Sequence, residues 1–419
     1  MGNSSPPIDI RVCDPARREP GLMYFTTRPG SIQNVKADYG WVVAVDRAGE
    51  VRLCRRYDGA TQDVVCRPDG AVYFSQTKLG TISRIDRDGN VRQRWHARGR
   101  WRDRAAPEGS IELPVDFIHH RINFLPDGNF LVLSAEARVF DGWPGSTDDA
   151  NAPAETAEIV GDIVCEVTPE GGLVREYRML DLLDPYRITH GSRSRYWQRQ
   201  GFPGCYDWCH ANAVSHDPND DTIIVSLRHQ DCIVKIDRVS GRLVWILGNP
   251  GQWKKPWSDL LLMPDDSVTW QFHQHDCSVT GPNRILCFDN GNGRAGAYEP
   301  RVPDAANYSR AVEFGIDPAA KTVRQIWAHG APPAEPIYGC YQGGAYRLPE
   351  TGNTFITFGG ICFDNGVPTS RNEDSFGCAR LQEVTPAGEI VLDLAIDDSA
   401  SAEPRAFSAF RAHHLPGPV

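Results

Sequence analysis

The sequence predicts an all-β protein: a six-bladed β-propeller closed by its C-terminal strand, with long lid loops over one channel mouth. Three observations predict it. A hairpin signal recurs along the chain, an apolar run, an Asp/Glu-x-Gly turn and a second apolar run. Glycine and proline are spread evenly through all 419 residues, with no Ser/Gly-rich linker between two halves. The length also exceeds the roughly 250–300 residues that one compact core supports, whereas stacked sheets carry many small cores. A single domain over 1–419 is the expectation.

Six outer strand pairs are expected at 42–53, 82–95, 164–177, 233–246, 311–327 and 378–394. Five inner hairpins precede most of them, at 64–75, 122–133, 213–226, 278–288 and 345–358. Pro68-Asp69-Gly70, Pro126-Asp127-Gly128 and Pro349-Glu350-Thr351-Gly352 supply the residues such turns require. The first blade lacks a full inner hairpin. Segment 406–412 can supply its missing strand and close the ring, leaving 1–21 as an N-terminal arm. Two segments fall outside the repeat, 180–207 and 249–271, both rich in Trp, Arg and Pro. Loops of that length are usually functional, and their aromatic content argues for order, so they read as lid-like insertions.

The formal charge of −10 argues against nucleic acid or an anionic membrane as partner. No apolar run approaches the roughly 20 residues that span a bilayer. The first residues lack the basic start and apolar run of a secretory signal, so a cytoplasmic location is the expectation. Most of the twelve cysteines sit in apolar runs and read as reduced, packed thiols. Cys205 and Cys209 invite a metal or redox reading, but no second pair at zinc spacing accompanies them.

Aligning the inner hairpins by their turns gives a repeat position occupied by Gln62, His120, His210, His275 and Gln342. In a propeller these side chains gather at one mouth of the channel. The second strands end at the same mouth and bring Lys78, Glu136 or Arg138, Arg228, His229, Asn290 and Arg294. A basic funnel inside an acidic protein suits a small anionic or aromatic substrate rather than a polyanion. Imidazoles supply proton transfer or nucleophilic attack near neutral pH, and Arg forks bind oxyanions. His210, His275 and Arg294 are therefore the catalytic candidates. His120, Arg228, His273, Asn290 and Trp208 are the substrate-binding candidates, with Trp208 equally suited to packing.

These residues also carry a resemblance. Asp207-Trp-Cys-His-Ala-Asn-Ala-Val214, Arg228-His-Gln230, Gln274-His-Asp276 and Asp289-Asn-Gly-Asn-Gly-Arg294 resemble the bacterial arylsulfate sulfotransferases. The match is specific between about 205 and 330 and rests on the repeat pattern elsewhere. It implies a six-bladed propeller that moves a sulfuryl group from an aryl sulfate to a phenol through a sulfated histidine. His210, His275 and Arg294 fall on family active-site positions. The family's nucleophilic histidine lies on a later blade, where this chain reads Tyr338-Gly-Cys-Tyr-Gln-Gly-Gly344 and has no histidine between His329 and His413.

Sulfuryl transfer without a cofactor is thus the leading expectation. One alternative is lyase, hydrolase or oxygenase chemistry on a Zn, Fe or Cu ion held by His120, His210 and His275. Another is a propeller that only binds. The oligomeric state is left open.

Overall fold

The computed structural model describes residues 5–30, 38–372 and 375–417. The fold is all-β with a β-propeller arrangement, as the repeat predicted. Five blades are recognised, which corrects the expected six. Among the described residues the strands pair into six sheets, but these are not six copies of one blade. The plain four-stranded meander is met by Ala211–Asp217, Thr222–Leu227, Cys232–Asp237 and Leu243–Gly248. Elsewhere the pattern is decorated. The seven-stranded sheet has its inner edge broken into Gly339–Tyr341 and Gly344–Arg347, both paired with Thr354–Asp364. Between them Gln342 and Gly343 sit at φ +56° and +107°, which no extended strand tolerates.

The chain divides into two compact units. The first comprises Met1–Glu112, Asp304–Ala311 and His329–Val419. In it the C-terminal strand Phe407–Leu415 pairs with Leu22–Pro29, so the last segment does supply the first sheet's missing strand. The expected N-terminal arm is more than an arm, because Ile8–Cys13 pairs with Ile390–Ile396. Arg18, 2% exposed, anchors it by donating through Nε to Glu383 Oε2 at 3.1 Å. Phe407 is fully buried among Trp41, Phe355, Leu381 and Leu394. Truncation of such an aromatic costs about 3–5 kcal/mol. Phe407→Ala is expected to lower unfolding stability by that amount, read from the urea midpoint at unchanged slope.

The second unit comprises Leu113–Pro303 and Val312–Ala328 and contains every histidine candidate. Its core joins Leu131, Val164, Val214, Val225, Val234 and Ile246, the inward residues of neighbouring strands. The expected insertions are packed elements, not free loops. Segment 180–207 contains a 3-10 turn at Tyr196–Gln200 with Trp197 1% exposed, and a short strand Tyr206–Asp207 parallel to Ile159 and Val160. Segment 249–271 contributes a 3-10 turn at Trp257–Leu260 and the strand Met263–Pro264. Trp257 Nε1 donates to Leu182 O at 2.8 Å, and Arg187 stacks 4.0 Å from the Trp253 ring, so the two insertions hold each other. Among the described residues no helix is long and apolar enough to cross a membrane.

Candidate active site

The second unit gathers its imidazoles through backbone geometry that β-strands rarely use. His120, His210 and His273 have φ of 52°, 48° and 52°, and Asp276 and Arg294 have 58° and 42°. Left-handed backbone at such residues costs on the order of 1–3 kcal/mol and persists only where surrounding contacts enforce it. Gln342 repeats this conformation at the equivalent place in the other unit, whereas in the His275 repeat the turn falls one residue later. The result is a close cluster. The His120 ring centre lies 4.9 Å from that of His210 and 6.4 Å from that of His275, and His210 lies 4.6 Å from His229. His229 and His273 are 5.9 Å apart.

Each ring is oriented by a specific partner. His210 Nδ1 lies 2.5 Å from Asp207 Oδ2. A carboxylate only accepts, so Nδ1 carries the hydrogen and Nε2 keeps its lone pair. His275 Nδ1 donates in the same way to Asn290 Oδ1 at 2.8 Å. His229 Nδ1 donates to Asp207 O at 2.8 Å, while its Nε2 accepts from Arg228 Nη1 at 3.0 Å. The backbone fixes Arg228 as well, its N–H donating to His210 O at 3.1 Å. His273 approaches Asp231, with Nδ1 3.2 Å from Oδ1.

Burial sets the electrostatics. It drives the pKa of His120, His210, His229 and His275 well below the usual imidazole value, with the Arg228 charge reinforcing each shift. The imidazoles are therefore neutral at pH 7 and available as nucleophiles or proton acceptors. Asp207 is pushed up to about 6 by burial, opposed by His229 and Arg228. Arg294 pairs with the buried Asp289 at 2.9 Å.

Segment 180–207 packs directly on this cluster. Thr189 and Ser192 hydroxyls each donate to His229 O at 2.8 Å. Gly191 lies so close that an added Cβ would overlap the His229 ring, so only glycine fits there. Trp208, suited equally to substrate and to packing by its sequence, packs in the apolar core, fully buried with Nε1 donating to Arg187 O at 2.9 Å. Cys205 and Cys209 are free thiols, not a disulfide. Among the described residues, the donor atoms that fall within 4.8 Å of one another are those of Asp207, His210 and His229, not of His120, His210 and His275. Both imidazoles in that group already direct Nδ1 to Asp207.

A family model described as Arylsulfotransferase (ASST) matches residues 13–403. The chain belongs to the arylsulfotransferase family. Two arylsulfate sulfotransferases share sequence with it. The one from Escherichia coli is 33% identical over 182 residues, or 39% of this chain and 30% of that protein. The one from Lelliottia amnigena is 34% identical over 141 residues, or 30% of this chain and 23% of that protein. The matched stretches thus span under a third of either relative's length. A crystal structure of a protein of unknown function from Bacteroides caccae is similar at a TM-score of 0.46 and 13% identity, over 93% of this chain and 99% of that one.

In this family member, the repeat alignment brought His120, His210 and His275 together, with Arg228 bonded to the His229 beside them. It missed their supports. Asp207 stands three residues before His210, a spacing that could have drawn notice. His119, with Nδ1 2.8 Å from that of His120, and Asp162, with Oδ1 3.3 Å from His119 Nε2, gave no sequence signal beyond their residue types.

Proposed function

We propose that the protein is an arylsulfate sulfotransferase in which His210 is the nucleophile. The observation that carries this reading is the 2.5 Å Asp207–His210 contact inside a cluster of neutral imidazoles. His210 Nε2 attacks the sulfur of an aryl sulfate, the sulfur–oxygen ester bond breaks, and the aryloxide leaves. The sulfo-imidazolium that forms keeps its Nδ1–H on the Asp207 carboxylate, which stabilises the positive charge. His275 is held by an amide, which brings no compensating charge, and suits binding better than attack. Arg228, Arg294 and His275 bind the sulfuryl oxygens as charge spreads over them, much as in phosphoryl transfer. A phenol then attacks the same sulfur and regenerates the imidazole. The amide of Gln342 in the later repeat offers no such nucleophile, which favours the His210 cluster.

Incubation with an aryl sulfate, followed by intact mass and peptide mapping, is expected to show one added SO3 unit on His210. His210→Ala is expected to lose both adduct and phenol release. Wild-type protein that forms no adduct and releases no phenol from several donors would remove the proposal. Metal analysis of the same sample separates this chemistry from a Zn, Fe or Cu centre: turnover that follows metal content overturns the cofactor-free reading.

A further inference from the structure

His119 and His120 open the strand His119–Phe124 side by side, with Nδ1 of each 2.8 Å from Nδ1 of the other. Both are buried, and burial holds His119 down to about 3, so both rings are neutral. Behind them lies Asp162, 0% exposed. Its Oδ2 accepts from Cys209 Sγ at 2.9 Å and from Ala211 N at 2.6 Å. Its Oδ1 is buried without a hydrogen bond, 3.3 Å from His119 Nε2. His119 Nε2 also lies 3.2 Å from Ser134 O.

These heavy atoms admit two arrangements of hydrogens. In one, His119 Nε2–H donates to Ser134 O, His120 Nδ1–H donates to His119 Nδ1, and His120 Nε2 is a lone pair. In the other, Asp162 Oδ1 carries a hydrogen and donates it to His119 Nε2. His119 Nδ1–H then donates to His120 Nδ1, and His120 Nε2–H faces the cluster. The second arrangement gives the orphaned Oδ1 a partner. The two differ by one proton, passed along three side chains.

We infer that Asp162 stores the proton of the transfer cycle and exchanges it with substrate through His119 and His120, with His120 as general acid and base. This rests on the sulfuryl transfer proposed above. In the first half-reaction the leaving aryloxide takes the proton from His120 Nε2. His119 Nδ1 replaces it, Asp162 Oδ1 replaces that, and Asp162 becomes a carboxylate. In the second half-reaction the acceptor phenol gives its proton to His120 Nε2, and the chain runs back to Asp162. Phenol enters, phenol leaves, and no net proton is consumed. Asp162 is protonated at neutral pH: burial first, then the Asp207 charge, raise its pKa to about 8, against the Cys209 and Ala211 hydrogen bonds.

The test compares leaving groups. A nitrophenolate departs unaided, while a plain phenolate needs the proton. Asp162→Asn is expected to slow single-turnover phenol release from phenyl sulfate by about 100-fold or more, the usual lower worth of a positioned acid, and single-turnover nitrophenolate release from 4-nitrophenyl sulfate far less. His120→Gln, at the other end of the relay, is expected to give the same split. Equal losses on both donors would mean a structural role only and overturn the inference. Difference infrared spectra of wild type against Asp162→Asn give a reading independent of turnover. A protonated-carboxyl stretch at neutral pH supports the store, and its absence overturns it. A stretch present without any His210 adduct would retain the store and remove only the sulfuryl chemistry.

Discussion

Asp207→Asn is expected to cut aryl sulfate turnover by about 10⁴-fold, the scale seen when the carboxylate of a Ser-His-Asp triad becomes an amide. The cause is the tautomer. An amide nitrogen facing His210 Nδ1 donates to it, moves the ring hydrogen to Nε2 and removes the attacking lone pair. The fold has little to lose. Asp207 N–H donates to Ser194 O at 2.8 Å and its carbonyl accepts from His229 Nδ1, and both bonds use the backbone of residue 207 and survive the exchange. Thermal unfolding should therefore stay close to wild type while kcat/KM and the His210 adduct collapse. Turnover at the wild-type rate would show that His210 does not need this orientation. The same residue predicts an acid limb: Asp207 protonates near its raised pKa of about 6, and turnover falls below that pH.

Acidification from pH 7 to pH 5 is expected to cost on the order of 5 kcal/mol of folding stability at about 1.4 kcal/mol per pKa unit. Five buried imidazoles, His119, His120, His210, His229 and His275, stay neutral in the folded protein because burial depresses them. In the unfolded chain they titrate near the ordinary value of about 6.5. Below that pH the unfolded state binds more protons, so stability falls as pH falls. Asp162 and Asp207 act in the opposite sense, since their raised pKa values give the folded state extra protons over the same window. The histidines outnumber them, and the net sign is a loss. Urea unfolding at a series of pH values measures it directly, and a stability that is flat or rising toward pH 5 would show that the cluster admits protons without unfolding.

Strand positions were readable because Asp-x-Gly turns mark hairpins locally, and the six outer and five inner pairs stand where those turns put them. Blade number was not, because a turn signal marks two strands and not whether a sheet completes a uniform blade. The break at Gln342 shows the difference, for it lies just before the ordinary hairpin read at 345–358 and splits the strand that leads into it. The imidazole cluster was legible through repeat position alone. Its wiring was hidden by backbone irregularity. Alternation along a strand sends neighbours to opposite faces, which would separate His119 from His120. The left-handed φ at His120 and the register shift between His119 and Asn123 bring the two rings together. Asp162 sits within an apolar run of the Glu155–Val167 strand, where a lone carboxylate gives no spacing to read. Trp208 stayed open between substrate and packing because a place near His210 in sequence does not say which face a side chain takes.

The pairing of Leu22–Pro29 with Phe407–Leu415 has a consequence for how the polypeptide is made. Strands translated early wait for a partner translated late, and until then one edge of that sheet exposes unpaired amides and carbonyls, an invitation to association. The histidine-bearing unit has no such debt, since most of it is one continuous stretch, Leu113–Pro303. Domains generally fold as units while the ribosome is still at work. The imidazole cluster is thus set to form on the nascent chain, ahead of the sheet that pairs Leu22–Pro29 with Phe407–Leu415.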